Sequence, residues 1–330
     1  VQANDGKYYK YNYEINNKYY CINNIIIDDF KVTKLSQNKL LIDYFILDLE
    51  NKTISLYDYN IQDCFPDTIK EIRKIQITKE NEHKKIIIKT IEGYIFIKIS
   101  KENKIIEYQN NHIKRIGDNF LCNKESLEHL DLSNVIEIGD NFLFNNVSLK
   151  YLVLPKVIKI GNSFLNNNQS LNHLELPNAI KIGYCFLYGN PSLKQLALPN
   201  VMEIGGSFLY YNFSLTQLSL PNVRKIGDDF LVHNKLLTQL VLPKVIEIGD
   251  NFLYSNESLN YIELPNLVKT GDNFLNNNES LNHLELPNVI KIGYNFLYRN
   301  ESLKQLELPN VMEIGGSFLF YNSSLIQLSL

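Results

Sequence analysis

The chain has 330 residues, 45% hydrophobic and 21% charged, and a formal net charge of −3, the composition of an ordinary globular protein. Residues 1–110 carry 17 Lys and Arg against 16 Asp and Glu, and the rest carries 16 against 20; neither part has the basic excess that a phosphate backbone demands, so nucleic acid is excluded as a partner. No apolar run approaches the roughly 20 residues of a membrane span, and no basic-then-apolar leader opens the chain.

Tyr and Asn crowd the first 25 positions ("KYYKYNYEINNKYYCINN"), which suits an extended tail or a strand pair. The stretch "LLIDYFILDLENKTISLY" alternates apolar and polar and reads as a hairpin turning at Glu50 to Lys52. "IRKIQITKENEHKKIIIKTIEGYIFIKIS" reads as a meander with turns near Glu82 and Glu92-Gly93. Ile72 to Ile77 also fits the apolar spacing of the repeat found beyond residue 108, so a degenerate copy of that repeat is an alternative there. Residues 1–108 are expected to form a β-rich region that caps the first repeat. The four cysteines, Cys21, Cys64, Cys122 and Cys185, show no C-x-x-C spacing; they indicate neither a zinc site nor a disulfide framework.

From residue 109 to 330 the chain keeps a strict period. Pro returns every 22 residues from Pro155 to Pro309, Gly from Gly117 to Gly315, and Asn from Asn146 to Asn322, with Lys124 one unit earlier. The unit is L-x-x-L-x-L-P-x-V-x-x-I-G-x-x-F-L-x-x-N-x-S-L. Its L-x-L segment is a short strand with one face inward, and Pro ends that strand because it has no N–H to give a ladder. Phe296 and Leu297 stand for the opposite wall, Gly293 for a sharp turn with room for a positive φ, and Asn for a ladder of side-chain amides bonded to neighbouring backbone. One such coil cannot bury its own apolar face, whereas stacked coils can. "LNHLELPN" stands at 171–178 and again at 281–288, and "VMEIGGSFL" at 201–209 returns at 311–319. Five units of 22 have therefore been duplicated as a 110-residue block.

These columns resemble a leucine-rich repeat, and the L-x-x-L-x-L-P strand, I-G turn and F-x-x-polar-x-x-L return resemble the BspA-like class, with Asn where that class tends to place Cys. The resemblance implies an α/β-type repeat solenoid, a right-handed superhelix of ten 22-residue units with parallel strands on its concave face, about 48 Å long at strand spacing. It also implies an adhesion or recognition role, a protein or peptide partner, and an extracellular or cell-surface location, the alternative location being cytoplasmic. The chain stops on a strand at Leu330, so a longer native chain is expected.

Residues flanking the inward leucines are the candidate partner-binding strip: His129, Asp131, Tyr151, His173, Glu175, Gln195, Gln217, Gln239, Tyr261, Glu263, His283, Glu285, Gln305 and Glu307. Val153, Ala197, Ser219 and Val241 give that strip a plainer middle. A solvated sheet face without a partner is the competing reading. His-x-Glu or His-x-Asp recurs at 129/131, 173/175 and 283/285, but the flanking coils offer no third ligand, so no metal is expected. No cofactor motif, nucleophile-base pairing or phosphate loop is found, and an enzyme is not expected. Phe144, Tyr188, Tyr210, Tyr211, Tyr254, Tyr298, Phe320 and Tyr321 form a second aromatic set, read first as a shield for the loop side of the core and second as an adhesive edge. The Asn-x-Ser triplets at Asn146, Asn168, Asn212, Asn256, Asn278, Asn300 and Asn322 read as by-products of the buried Asn column rather than glycan sites. The alternatives to partner recognition are an intracellular scaffold or secreted effector targeting domain, and a carbohydrate-binding surface using Tyr151 and Tyr261.

Overall fold

A computed structural model describes residues 20–22, 25–27, 32–36, 39–42, 45–48, 53–56, 72–80, 83–90, 93–101 and 104–330. Tyr20–Ile22 pairs antiparallel with Ile25–Ile27, and the rest of the Tyr/Asn-rich opening lies outside the described residues. The hairpin expected around residues 50–52 joins Phe45–Asp48 to Thr53–Leu56, with Asp48 opposite Thr53. The chain before it folds back as well, so Val32–Ser36, Lys39–Ile42 and this hairpin make a four-stranded antiparallel sheet.

The meander is found where the alternation placed it. Ile72–Glu80, His83–Thr90, Tyr94–Ile99 and Ile105–Asn110 run antiparallel in sequence order. Ile72 to Ile77 is thus the first strand of an antiparallel sheet and not a degenerate coil. Ile86, Ile88, Ile95, Ile97 and Ile99 alternate onto one buried face. Ile105–Asn110 then changes partner type: one edge is antiparallel to Tyr94–Ile99, and the other pairs parallel with His129–Asp131, Tyr108 opposite Leu130. Tyr108 is fully buried and meets Phe120 edge-on at 5.5 Å, so one continuous core runs from Ile86 to Leu308.

Each 22-residue coil has three sides. The first is a three-residue strand such as His173–Glu175, its central Leu inward and its flanks outward. The second is a two-residue strand such as Lys181–Ile182, and these form one parallel ladder of seven strands from Arg115–Ile116 to Glu247–Ile248. That ladder thins to isolated bridges at Lys269, beside Thr270, where the other coils carry Ile. Thr270 is buried and its Oγ1 accepts the Gly293 N–H at 3.3 Å.

The third side corrects the α/β expectation: no helix is present among the described residues. In each coil from Asn119 onward the residues before Phe, at Leu, and two beyond it hold φ near +55°, as at Asn141, Leu143 and Asn145, and such alternation with Phe142 and Phe144 cannot continue a helix. The left-handed residues bond sideways instead. Asn141 and Asn145 donate forward to the carbonyls of Asn162 and Asn166 at 2.8 and 2.9 Å, and Leu143 donates back to that of Phe120 at 3.0 Å. The outer two columns are rich in Asn, which tolerates this conformation, and include Asp229, His233 and Gly189, which do so too. Leu does not, and its left-handed φ costs about 1–2 kcal/mol. Full burial of that side chain, worth about 1.5–3 kcal/mol, offsets the strain.

Three columns fasten coil to coil. Phe120 through Phe318 form one stack with ring centroids 5.2–6.1 Å apart and nearly parallel planes. Each column Asn donates to a carbonyl of the preceding coil and to one in its own loop, as Asn234 does to Leu209 at 2.8 Å and Val232 at 3.3 Å. Asn146 through Asn300 are completely buried, so their Asn-x-Ser triplets present no accessible amide in the folded chain. The glycines serve a different purpose from the sharp turn expected of them. Among the described glycines only Gly189 has a positive φ; a Cβ on Gly205 would stand 2.7 Å from both the carbonyl carbon and oxygen of Gly183. Close approach of successive coils, rather than turn geometry, requires glycine there.

Candidate functional site

All fourteen residues of the candidate strip lie on the first side of the coils, and their side chains flank the inward residue of each strand. Parallel pairing puts equivalents side by side: Tyr151 against His173, Gln195 against Gln217, Gln239 against Tyr261, and His283 against Gln305. The strand ladder on this face is nevertheless segmented, with no pairing between the strands at 131 and 151, 175 and 195, 219 and 239, or 263 and 283. A groove of about 660 Å³ spans the break after residue 175 and reaches the one after 219, floored by Leu174, Leu196 and Leu218 and walled by His173, Glu175 and Gln217. Ala197 and Ser219 leave the space open because their side chains are small.

The two copies of the duplicated block differ at one telling place. Tyr151 is followed two residues later by Val153, which cannot take its hydroxyl; its ring lies flat on His173 at 4.4 Å, and His173 Nε2 meets Glu175 Oε1 at 2.8 Å. In the second copy Glu263 replaces that valine, and the Tyr261 hydroxyl donates to its Oε2 at 2.9 Å. This hydrogen bond, with the carboxylate charge behind it, holds the Tyr261 phenol above its ordinary pKa. Elsewhere Gln305 donates to Glu307 at 2.6 Å, and Asp131 accepts the Ser133 N–H at 3.1 Å. Among the described residues no three His, Cys, Asp or Glu side chains gather as a metal site would require.

The second aromatic set occupies the third side. Tyr188, Tyr210, Tyr254 and Tyr298 are half-buried, as a shield would be, whereas Phe320 and Tyr321 are exposed. Tyr188 stacks on Tyr210 at 5.3 Å, and Tyr211 on His233 at 5.1 Å. Burial, aided by Tyr211, pushes the Tyr210 phenol up to about 12. Burial, aided by the Lys235 charge, lowers His233.

Two features escaped sequence reasoning. The Asp or Asn after the turn glycine forms a further ladder, Asp140 Oδ1 accepting the Asn162 N–H at 2.7 Å and Asp250 Oδ1 that of Asp272 at 2.7 Å; the recurring G-D and G-N pairs were its signal. Ile158, Ile180, Met202, Ile246, Ile290 and Met312 are exposed apolar residues of one column, which Arg224 interrupts, visible beforehand only as apolar residues in a slot the core did not need.

A family profile for a BspA type leucine rich repeat region (6 copies) matches residues 48–172, 138–257 and 224–330. No match is found among curated proteins. Similar solved structures include a leucine-rich repeat protein from Bacteroides ovatus, at 17% identity and TM-score 0.45 over 80% of this chain and 70% of that one. A leucine rich cell surface protein from Faecalibacterium prausnitzii has 14% identity and TM-score 0.37 over 77% and 94%. The pneumococcal vaccine antigen PcpA has 14% identity and TM-score 0.39 over 76% and 86%.

Proposed function

Because the chain belongs to the BspA-type leucine-rich repeat family, whose members are generally protein-interaction or adhesion modules, we propose that it is a non-catalytic recognition module that holds a protein or peptide on the exposed strand face. The carrying observation is that the 660 Å³ groove coincides with the strip, from His173 to Gln239. Its floor is apolar and its walls are His, Gln and Glu, the mixture that anchors a side chain and fixes its orientation. A rigid scaffold behind the groove keeps the ordering cost of binding low. The cell surface or the extracellular space is the setting we infer, with the strand Ile105–Asn110, last of the antiparallel meander, covering the first coil.

A carbohydrate surface using Tyr151 and Tyr261 is the second reading, and it draws on the exposure of both rings, Tyr151 with one face on His173 and Tyr261 with its hydroxyl on Glu263. The test is capture of partners from host and matrix lysates by the intact chain beside a variant carrying His173→Ala, Glu175→Ala, His283→Ala and Glu285→Ala. Loss of a specific partner from the variant supports the strip, and equal capture by both overturns it.

A further inference from the structure

The 110-residue duplication lets one half of the molecule be compared with the other on its third side. In the second copy the Arg299 guanidinium lies over two rings, 5.6 Å from the Tyr298 centroid and 5.3 Å from that of Tyr321, which stand edge to face at 5.4 Å. In the first copy Tyr188 and Tyr211 repeat that arrangement at 5.8 Å and 88°. The residue between them is Gly189 in place of arginine. Its backbone has the same hand, φ 70° against 57° at Arg299, so the backbone does not distinguish the two sites; the side chains around it do, with His233 stacked on Tyr211 at 5.1 Å.

Other neighbours of the first site suit a cation. The Asn167 Oδ1 lies 2.6 Å from where a Gly189 Cβ would be, and offers an acceptor to an incoming N–H. Phe213 lies 5.7 Å from Tyr211 and is 44% exposed; its counterpart in the second copy is Ser323. Asp229 places negative charge near Tyr210.

We propose that Tyr188, Tyr211 and Asn167 form a cation–π slot that takes an arginine side chain of a protein partner, the place Arg299 fills from within the chain in the second copy. A guanidinium fits better than an ammonium because it is planar, stacks on rings and still presents N–H groups at its edge. The slot is on a different side of the coil from the strand-face strip, so it stands whether or not that strip binds.

The test is ring-proton NMR of selectively labelled tyrosines, assigned by Tyr→Phe variants, during titration of the intact chain with N-acetyl-arginine methylamide. The lysine and citrulline analogues serve as comparisons, citrulline keeping the shape without the charge. Arginine should shift Tyr188 and Tyr211 saturably, at concentrations on the order of tenfold below citrulline. Gly189→Arg should abolish the response, and Arg299→Gly should create one at Tyr298 and Tyr321. Equal shifts from citrulline, stronger ones from lysine, no saturable shift, or a response that survives Gly189→Arg would each overturn the slot. The four-alanine strand-face variant should leave these shifts unchanged, which separates the fate of this site from that of the strip.

Discussion

Gly205→Ala tests why glycine recurs in every coil. Its new Cβ would meet two backbone atoms of Gly183 at 2.7 Å, where ordinary contact begins at 3.4 Å, and backbone cannot rotate away. Relief by translation alone requires about 0.7 Å of coil separation, which would stretch the Gly205 N–H bond to the Ile182 carbonyl from 3.2 Å to roughly 3.9 Å, beyond hydrogen-bonding range. Overpacking of this kind costs about 1–3 kcal/mol and a lost backbone bond about 1 more, so a loss of about 2–4 kcal/mol is expected. Urea unfolding followed by far-ultraviolet circular dichroism measures it. Gly117→Ala is the control, because nothing lies within 4 Å of its Cβ position, and it should stay within about 0.5 kcal/mol of wild type. Gly205→Asn separates crowding from backbone freedom: a left-handed turn would accept Asn, and a crowded coil rejects it as firmly as Ala. Gly205→Ala matching Gly117→Ala, or Asn being tolerated, would refute the steric account.

Asn234→Ala strips both side-chain donors and leaves the Leu209 carbonyl buried without its partner; a loss of about 1–3 kcal/mol is expected in the same urea assay. Phe230→Ala, in mid-stack between Phe208 and Phe252, should cost about 3–5 kcal/mol, read as a lowered midpoint. Tyr210 keeps its proton to about pH 12 when folded and to 10.0 when unfolded, so its contribution is intact below pH 10 and fades as pH rises towards 12. Tyr210→Phe should therefore flatten the fall in melting temperature across that window. His233 is shifted the other way, so the unfolded chain takes up its proton first as pH falls below 6.5; His233→Phe should reduce the stability lost on that side, measured by thermal melts from pH 7 to pH 4.

The strict 22-residue spacing made much of the solenoid readable in advance, since columns of Leu, Phe and Asn have few other ways to bury themselves. The meander turns were equally plain, because alternation breaks at Glu82 and at Gly93. The third side was opaque. A left-handed Leu143 looks in sequence like any core leucine, and it is the full burial of its own side chain in the stacked coils that offsets the strain. Gly293 suggested a positive φ because glycine usually supplies one, whereas crowding between coils is a tertiary property that no single unit displays. Positions flanking the strand leucines were recognisable as a face, but the breaks that open the groove depend on pairing between coils, which identical L-x-L segments cannot reveal. Arg299 between two rings was hidden for a similar reason: its partner Tyr321 is a whole coil away.

The ion pairs along the two-residue strands join successive coils at exposed positions, as in Lys181–Glu203, Lys225–Glu247 and Lys291–Glu313, and contribute little to stability. Their order has another effect during folding. A refolding chain that skipped one coil would still match Leu with Leu and Phe with Phe, so the apolar columns cannot tell the correct stacking from a misthreaded one. Skipping the coil of Glu203 would bring Lys181 beside Lys225, and skipping that of Lys225 would bring Glu203 beside Glu247, like on like and repelled; the ends of the column discriminate less, since Lys159 pairs with Lys181 in the native stack. In the middle coils, weak surface charges thereby act as index marks for a molecule whose interior is too uniform to count its own turns.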